Sequence, residues 1–172
     1  MPFFLINIKF LSEKFKNSKV LSLNMDIDQT NVKLLRALRD DARRSLREIA
    51  KELGVSTVTV INRMKNLRGE GVIKGFSAHI DPKKVGFELT AVISLKAKGK
   101  MLLPVQEKIA KDPHVCGVYD VTGDFDSVIV ARFKNVNDLN NFIKKTLALE
   151  GIDRTYTQVA LNVIKEDFGV NL

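Results

Sequence analysis

The sequence predicts an α+β chain in which a small helical unit precedes a mixed unit of four strands and two helices. Three observations carry that prediction. Apolar residues recur at three- and four-residue steps from Ile27 to Leu67, short runs rich in Val and Ile take over from Leu89, and Gly or Pro marks the joins at Gly54, Gly71, Pro82, Pro113, Gly123 and Gly151. They divide the chain into an amino-terminal extension (1–24), a helical unit (25–74), a linking strand and hinge (75–88) and a mixed unit (89–172). With 172 residues, 45% of them hydrophobic, the chain can bury one or two modest cores.

The extension is basic, with Lys9, Lys14, Lys16 and Lys19 against Glu13. Its apolar run Phe3-Phe4-Leu5-Ile6 is far shorter than the ~18 residues of a membrane span, and a signal peptide would carry its positive charge before that run, not after it. Two readings stand: an arm that touches a partner or packs on the body, and an artefact of start assignment in which the natural start is Met25. We favour the second. The single Cys116 cannot close an intrachain disulfide, and no Cys/His cluster has metal-ligand spacing, so we expect a cytoplasmic protein with no metal or cofactor and no membrane association.

In the helical unit Ile27, Leu34, Leu35 and Leu38 line one face of a first helix, with Asp28 placed to cap it. Ser45 and Glu48 form a capping box for a second helix with Leu46, Ile49, Ala50 and Leu53 on its apolar face. Gly54 supplies the left-handed turn, and Ser56 caps a third helix from Thr57 to about Arg68, where Gly69 and Gly71 break it. Val60, Met64 and Leu67 fall on the inner face of that helix, while Thr59, Asn62, Arg63 and Asn66 fall opposite. Two helices joined by Gly-Val-Ser, the second with a polar and basic outer face, make a helix-turn-helix of the dimensions that enter a DNA major groove. Ser56, Thr57, Thr59, Asn62, Arg63 and Asn66 are the candidates for direct contact. Arg43, Arg44, Arg47 and Lys65, with Lys51, Arg68 and Lys74, surround them and can neutralise phosphates.

Charge placement supports this reading. Residues 25–80 carry 11 Lys/Arg against 7 Asp/Glu, whereas residues 81–172 carry 13 against 12. Exposed cations alone usually mark only a solvated face. What favours double-stranded DNA is their conjunction with three short helices, a tight glycine turn and a third helix free of Asp and Glu until Glu70.

The pattern Asp40-Asp41-Ala42-Arg43, Ser45-x-x-Glu48-Ile49-Ala50-x-x-Leu53-Gly54-Val55-Ser56, Val58-Thr59-Val60-x-x-Arg63-Met64-x-x-Leu67 and Gly71-Val72-Ile73 resembles the Lrp/AsnC family of prokaryotic regulators, the feast/famine regulatory proteins. The resemblance spans about residues 27–166 and leaves 1–24 without a counterpart. One departure is Asn31, where the family usually has a second Asp. The resemblance implies a winged helix-turn-helix domain followed by a linking strand that pairs with its dimer mate.

That linking strand is expected over Val72–Ile80, stopping at Asp81-Pro82. His79, without a partner cysteine, carboxylate pair or second histidine, reads as an exposed strand residue. Beyond it the periods give βαββαβ: a strand Leu89–Lys98, a helix with Pro104 near its start, a hairpin of Val115–Val121 and Ser127–Phe133, a helix capped by Asn135, and a last strand Thr155–Ile164. Four strands with helices on one face make a ferredoxin-like layer. Its other face is open and partly apolar, which a second copy would cover, so a homodimer follows. The resemblance implies further assembly to tetramers or octamers.

Gly123-Asp124-Phe125-Asp126 forms a tight turn whose N–H groups can receive a carboxylate while Asp124 or Asp126 faces an ammonium; equally, Gly-Asp in a hairpin is ordinary turn chemistry. The resemblance implies that this loop lies where dimers meet and binds an effector amino acid, with Thr155 and Thr157 of a neighbouring dimer completing the pocket. The function expected is sequence-specific, effector-responsive regulation of transcription. Alternatives are an architectural DNA-binding protein of low specificity and a metabolic sensor acting through protein partners. RNA binding lacks the stacking aromatics on Ser127–Phe133, and His114 with Cys116 lacks a third group to make an enzyme.

Overall fold

The structure, a computed structural model, describes residues 27–172 and divides into two compact units, one of the helical segment through Phe76 joined by residues 169–172, the other spanning Ser77–Phe168. The arm or start-site artefact expected over 1–24 lies outside the described residues.

The first unit holds α1 (Gln29–Asp40), α2 (Leu46–Leu53) and α3 (Thr57–Gly69). Its caps follow from the sequence. Asp28 accepts from the Asn31 N–H at 2.7 Å, the Ser45/Glu48 capping box is formed at both bonds, and Ser56 Oγ accepts from the Thr59 N–H at 3.0 Å. Gly54 ends α2 at φ 69°, the left-handed conformation that turns the chain into α3 within two residues. Leu34, Ala37 and Leu38 of α1, Ile49 and Ala50 of α2, and Val60 and Leu67 of α3 form the buried core, with Met64 packed against it. Three short helices thus become one rigid body through a shared apolar interior. The carboxyl-terminal residues add to it, Arg36 Nε donating to the Leu172 carbonyl oxygen at 2.8 Å.

The second unit contains β1 (Leu89–Ala97), α4 (Leu102–Ile109), β2 (Val115–Asp120), β3 (Ser127–Phe133), α5 (Val136–Leu147) and β4 (Ile152–Val159). The strands form one antiparallel sheet in the order β2-β3-β1-β4, the ferredoxin-like arrangement. Ala91, Ile93 and Leu95 of β1 and Ile129, Ala131 and Phe133 of β3 face Val105 and Ile109 of α4 and Leu139 and Phe142 of α5. Alternation along the two central strands explains the burial: every second residue is covered by helices. Asn135 Oδ1 caps α5 through the Asp138 N–H at 2.9 Å. Pro104 sits in the first turn of α4, where a missing N–H costs no ladder bond.

Two expected strands differ. Val72–Ile80 forms no ladder: Val72 and Ile73 are a bend and the rest carries no regular structure, so neither the linking strand nor a wing forms here; a strand needs a neighbour to bond to, and among the described residues this segment has none. The last strand stops at Val159 and does not reach Ile164. Its partner β1 begins at Leu89, and once the Ala160 N–H has donated to the Thr90 carbonyl at 2.8 Å no partner backbone remains.

The sheet face away from the helices carries one row across all four strands, Tyr119, Val128, Ser94 and Tyr156. Both tyrosines are exposed, at 45% and 56%. Among the described residues no helix is long and apolar enough to cross a membrane.

Candidate nucleic-acid interface and effector loop

α3 presents its expected contact residues on two different aspects. Asn62 and Asn66 are exposed, Thr59 and Arg63 half-buried, and all four line a groove of about 440 Å³ with Asn31, Leu67 and Glu70. Arg63 is not free: its Nη1 donates to Asp28 Oδ2 at 2.6 Å and to Asn31 Oδ1 at 3.0 Å. The Asn31 N–H first, and the Arg63 guanidinium second, hold the Asp28 carboxyl below its ordinary range. Asn31, the residue that departs from the family pattern, is thus an acceptor for the arginine of α3. Ser56 is occupied as the cap, its hydroxyl also 2.9 Å from that of Thr59, and Thr57 is half-buried.

The surrounding cations divide in the same way. Arg43, Arg47 and Lys65 are exposed and make no ion pair with another described residue, so they are available to phosphates. Arg44 is taken by Glu52, whose hydrogen bond raises the arginine further above its already high pKa. The outward edge of α3 is also less polar than the sequence suggests. Val58 is 65% and Ile61 44% exposed, beside Asn62 and Lys65. Sequence reasoning placed Val60, Met64 and Leu67 on the inner face and left Val58 and Ile61 unassigned; their helical phase, about 100–160° away from that of Val60, was the available signal.

In the second unit the loop between β2 and β3 is tied down at both ends. The Val121 N–H donates to the Asp126 carbonyl at 3.0 Å, and the Asp126 N–H donates to the Leu95 carbonyl at 2.9 Å. The Asp126 carboxylate accepts from the Ala97 N–H at 3.0 Å and from Lys96 Nζ at 3.1 Å. It is therefore a strut between loop and β1, while Asp124 beside it is exposed. Gly123 has φ 119°, a conformation that side-chain-bearing residues avoid. The Phe125 ring stacks on Tyr156 at 6.3 Å between centroids, and the Arg154 guanidinium lies 5.4 Å from its centre. Thr155 and Thr157 pair with Leu95 and Ile93, which puts them on the helix-covered side of β4, opposite Tyr156. The chain thus brings Gly123, Asp124, Phe125 and Asp126 together and leaves the two threonines apart from them.

His114 and Cys116 do not form a reactive pair. The imidazole stacks on Phe133 at 5.0 Å with Nδ1 2.8 Å from Asp112, and burial pushes the Cys116 thiol up, away from a thiolate.

A three-helix unit with a capped, cation-flanked third helix, joined to a ferredoxin-like domain, is the build of a DNA-binding regulator with a separate sensing domain. Residues 27–68 match the AsnC-type helix-turn-helix domain and residues 90–170 the Lrp/AsnC ligand binding domain. The chain is 46% identical over 144 residues to an HTH-type transcriptional regulator of Pyrococcus furiosus, covering 84% of this chain and 97% of that protein. Among solved structures it is similar to AsnC of E. coli, with a TM-score of 0.75 and 26% identity over 82% of this chain and 96% of that one. It is equally similar to the feast or famine regulatory protein from M. tuberculosis complexed with L-methionine, with a TM-score of 0.75 and 26% identity over 84% and 98% of the two chains. The chain belongs to the Lrp/AsnC family: it is an HTH-type transcriptional regulator with a ligand-binding domain, and not an enzyme.

Proposed function

We propose that α3 reads specific sequence in the major groove and that an amino acid bound at the 123–126 loop alters that binding by changing the assembly. The observation that carries the first half is the surface of α3 and its surroundings. No Asp or Glu occurs from Thr57 to Gly69, Asn62 and Asn66 are exposed, and Arg43, Arg47 and Lys65 around them make no ion pair among the described residues. Amides offer both donor and acceptor to a base edge, while the cations supply sequence-independent attraction. A homodimer through the open sheet face would present two such helices, and a separation near ~34 Å would match one turn of duplex.

For the second half, Gly123 and Asp124 offer backbone N–H groups and a carboxylate at an exposed turn, complementary to the two charges of an amino acid. Binding of L-methionine by the M. tuberculosis relative supports this class of effector, and a site shared between dimers is the position in which Thr155 and Thr157 of a neighbouring copy can contribute. Coupling then requires that the effector bind two assemblies with different affinity. Cytoplasmic location is part of the same reading.

The test is to titrate the full-length protein into a duplex selected from a random pool, and into random duplex, with and without L-methionine and other amino acids, while light scattering follows assembly size. The reading expects at least a hundredfold preference for the selected duplex and a change of size or affinity with one amino acid. Equal affinity for both duplexes would instead identify an architectural protein, and indifference to every amino acid would remove the effector.

A further inference from the structure

Val58 and Ile61 are β-branched, lie at the solvent edge of α3, and are 65% and 44% exposed. With Asn62 and Lys65 they occupy positions i, i+3, i+4 and i+7, a single stripe along the helix. The core stripe of Val60, Met64 and Leu67 is separate and already satisfied by α1 and α2. α3 therefore has two apolar edges, one of which holds the unit together and one of which faces outward, uncovered among the described residues.

We propose that Val58 and Ile61 read the C5-methyl groups of thymine, with Asn62 accepting and donating on an adenine edge beside them. This rests on the major-groove reading of α3 above and specifies its base chemistry. In the major groove thymine alone among the four bases presents a methyl group, and adenine presents the N7 acceptor and N6 donor that an amide matches with two bonds. The side chain that usually selects guanine is an arginine, and the one at the adjoining position, Arg63, is held by Asp28 and Asn31. What remains on the stripe is two methyl-bearing side chains, one amide and, at its end, one ammonium.

The occupant is duplex DNA and not a second copy of this chain, because of charge. Lys65 lies on the stripe, Arg43 and Arg47 are exposed in the same unit, and α3 carries no carboxylate. Two such surfaces would repel each other, whereas phosphates flanking a groove floor would meet the cations while the methyl groups met the floor.

Replacing thymine by deoxyuridine removes one methyl group and changes no hydrogen bond, so it isolates this contact. The full-length protein is first used to select its site from a random duplex pool. Each thymine of that site is then replaced singly, and affinities are measured by fluorescence polarisation for the wild type, Val58→Ala and Ile61→Ala. The expected result is a loss of about fourfold in wild-type affinity at one or more thymines, the cost of leaving one methyl group unburied. The same replacement should have no effect in one of the alanine variants, and Val58→Thr, which keeps one methyl group, should retain part of the effect at the Val58 position. Both side chains are exposed and alanine favours helix, so the variants keep their fold, checked by far-UV circular dichroism. Wild-type indifference to deoxyuridine at every position, a selected site without thymine, or discrimination that persists in both alanine variants would overturn the proposal while leaving sequence-specific binding intact. Failure to select any site would instead overturn the major-groove reading itself.

Discussion

Removing the Asp126 carboxylate takes away the acceptor of the Ala97 N–H and of Lys96, and the outcome separates the roles of the two acids in the 123–126 loop. In Asp126→Ala the Ala97 N–H, on a residue only 9% exposed, loses its 3.0 Å partner, and an unsatisfied donor of this kind costs about 1–3 kcal/mol. The Lys96 contact adds little, since the side chains are 35% and 27% exposed and such pairs contribute at most about 1 kcal/mol. The expected destabilisation is therefore about 1–4 kcal/mol. Asp124→Ala, at an exposed position, should fall within about 0.5 kcal/mol of wild type. Urea unfolding followed by far-UV circular dichroism, at one fixed protomer concentration so that assembly does not shift the midpoint, reads both values. On the proposed effector reading, the response to an amino acid should be lost in both variants, through a loosened loop in the first and a missing charge in the second. An Asp126→Ala protein as stable as wild type would refute the assignment of that residue as a strut.

Leu34→Ala, at a side chain with no exposure in the helical unit, should cost about 3–5 kcal/mol and abolish DNA binding while the ferredoxin-like domain stays folded, as amide hydrogen exchange would report. Arg43→Ala, Arg47→Ala and Lys65→Ala should each weaken selected and random duplex alike and lower the slope of log affinity against log salt by about 0.9, which a salt titration measures. Because the folded protein holds Asp28 below its ordinary value of 3.8, the stabilisation it gives is complete above that pH and disappears as acid titrates the folded carboxylate. Acid unfolding monitored by circular dichroism should therefore show a smaller loss of stability between pH 5 and pH 2 in Asp28→Asn than in wild type.

The helix caps were legible because each is a local bargain between a side chain and a backbone N–H three residues on, as at Asp28, Ser45, Ser56 and Asn135. The central strands were legible because two-residue alternation in β1 and β3 follows directly from burial of one face. Strand ends were not, since β4 stops where β1 ceases to offer a partner, a condition set by register between segments distant in sequence, as Ala91 pairs with Val159. The segment 72–80 has strand-like composition, yet a ladder is a property of two segments and among the described residues the second is lacking. In the site, residue types on α3 were readable but their engagement was not. Nothing local to Arg63 announces that its guanidinium reaches a carboxylate on residue 28, whereas the helical phase of Val58 and Ile61, off the stripe of Val60, Met64 and Leu67, was a signal the sequence did offer.

One carboxylate, that of Asp28, both starts α1 and steadies α3, so the first helix cannot fray without slackening the third. Loosening the start of the first helix would therefore also loosen one of the two acceptors that hold the Arg63 guanidinium on the third.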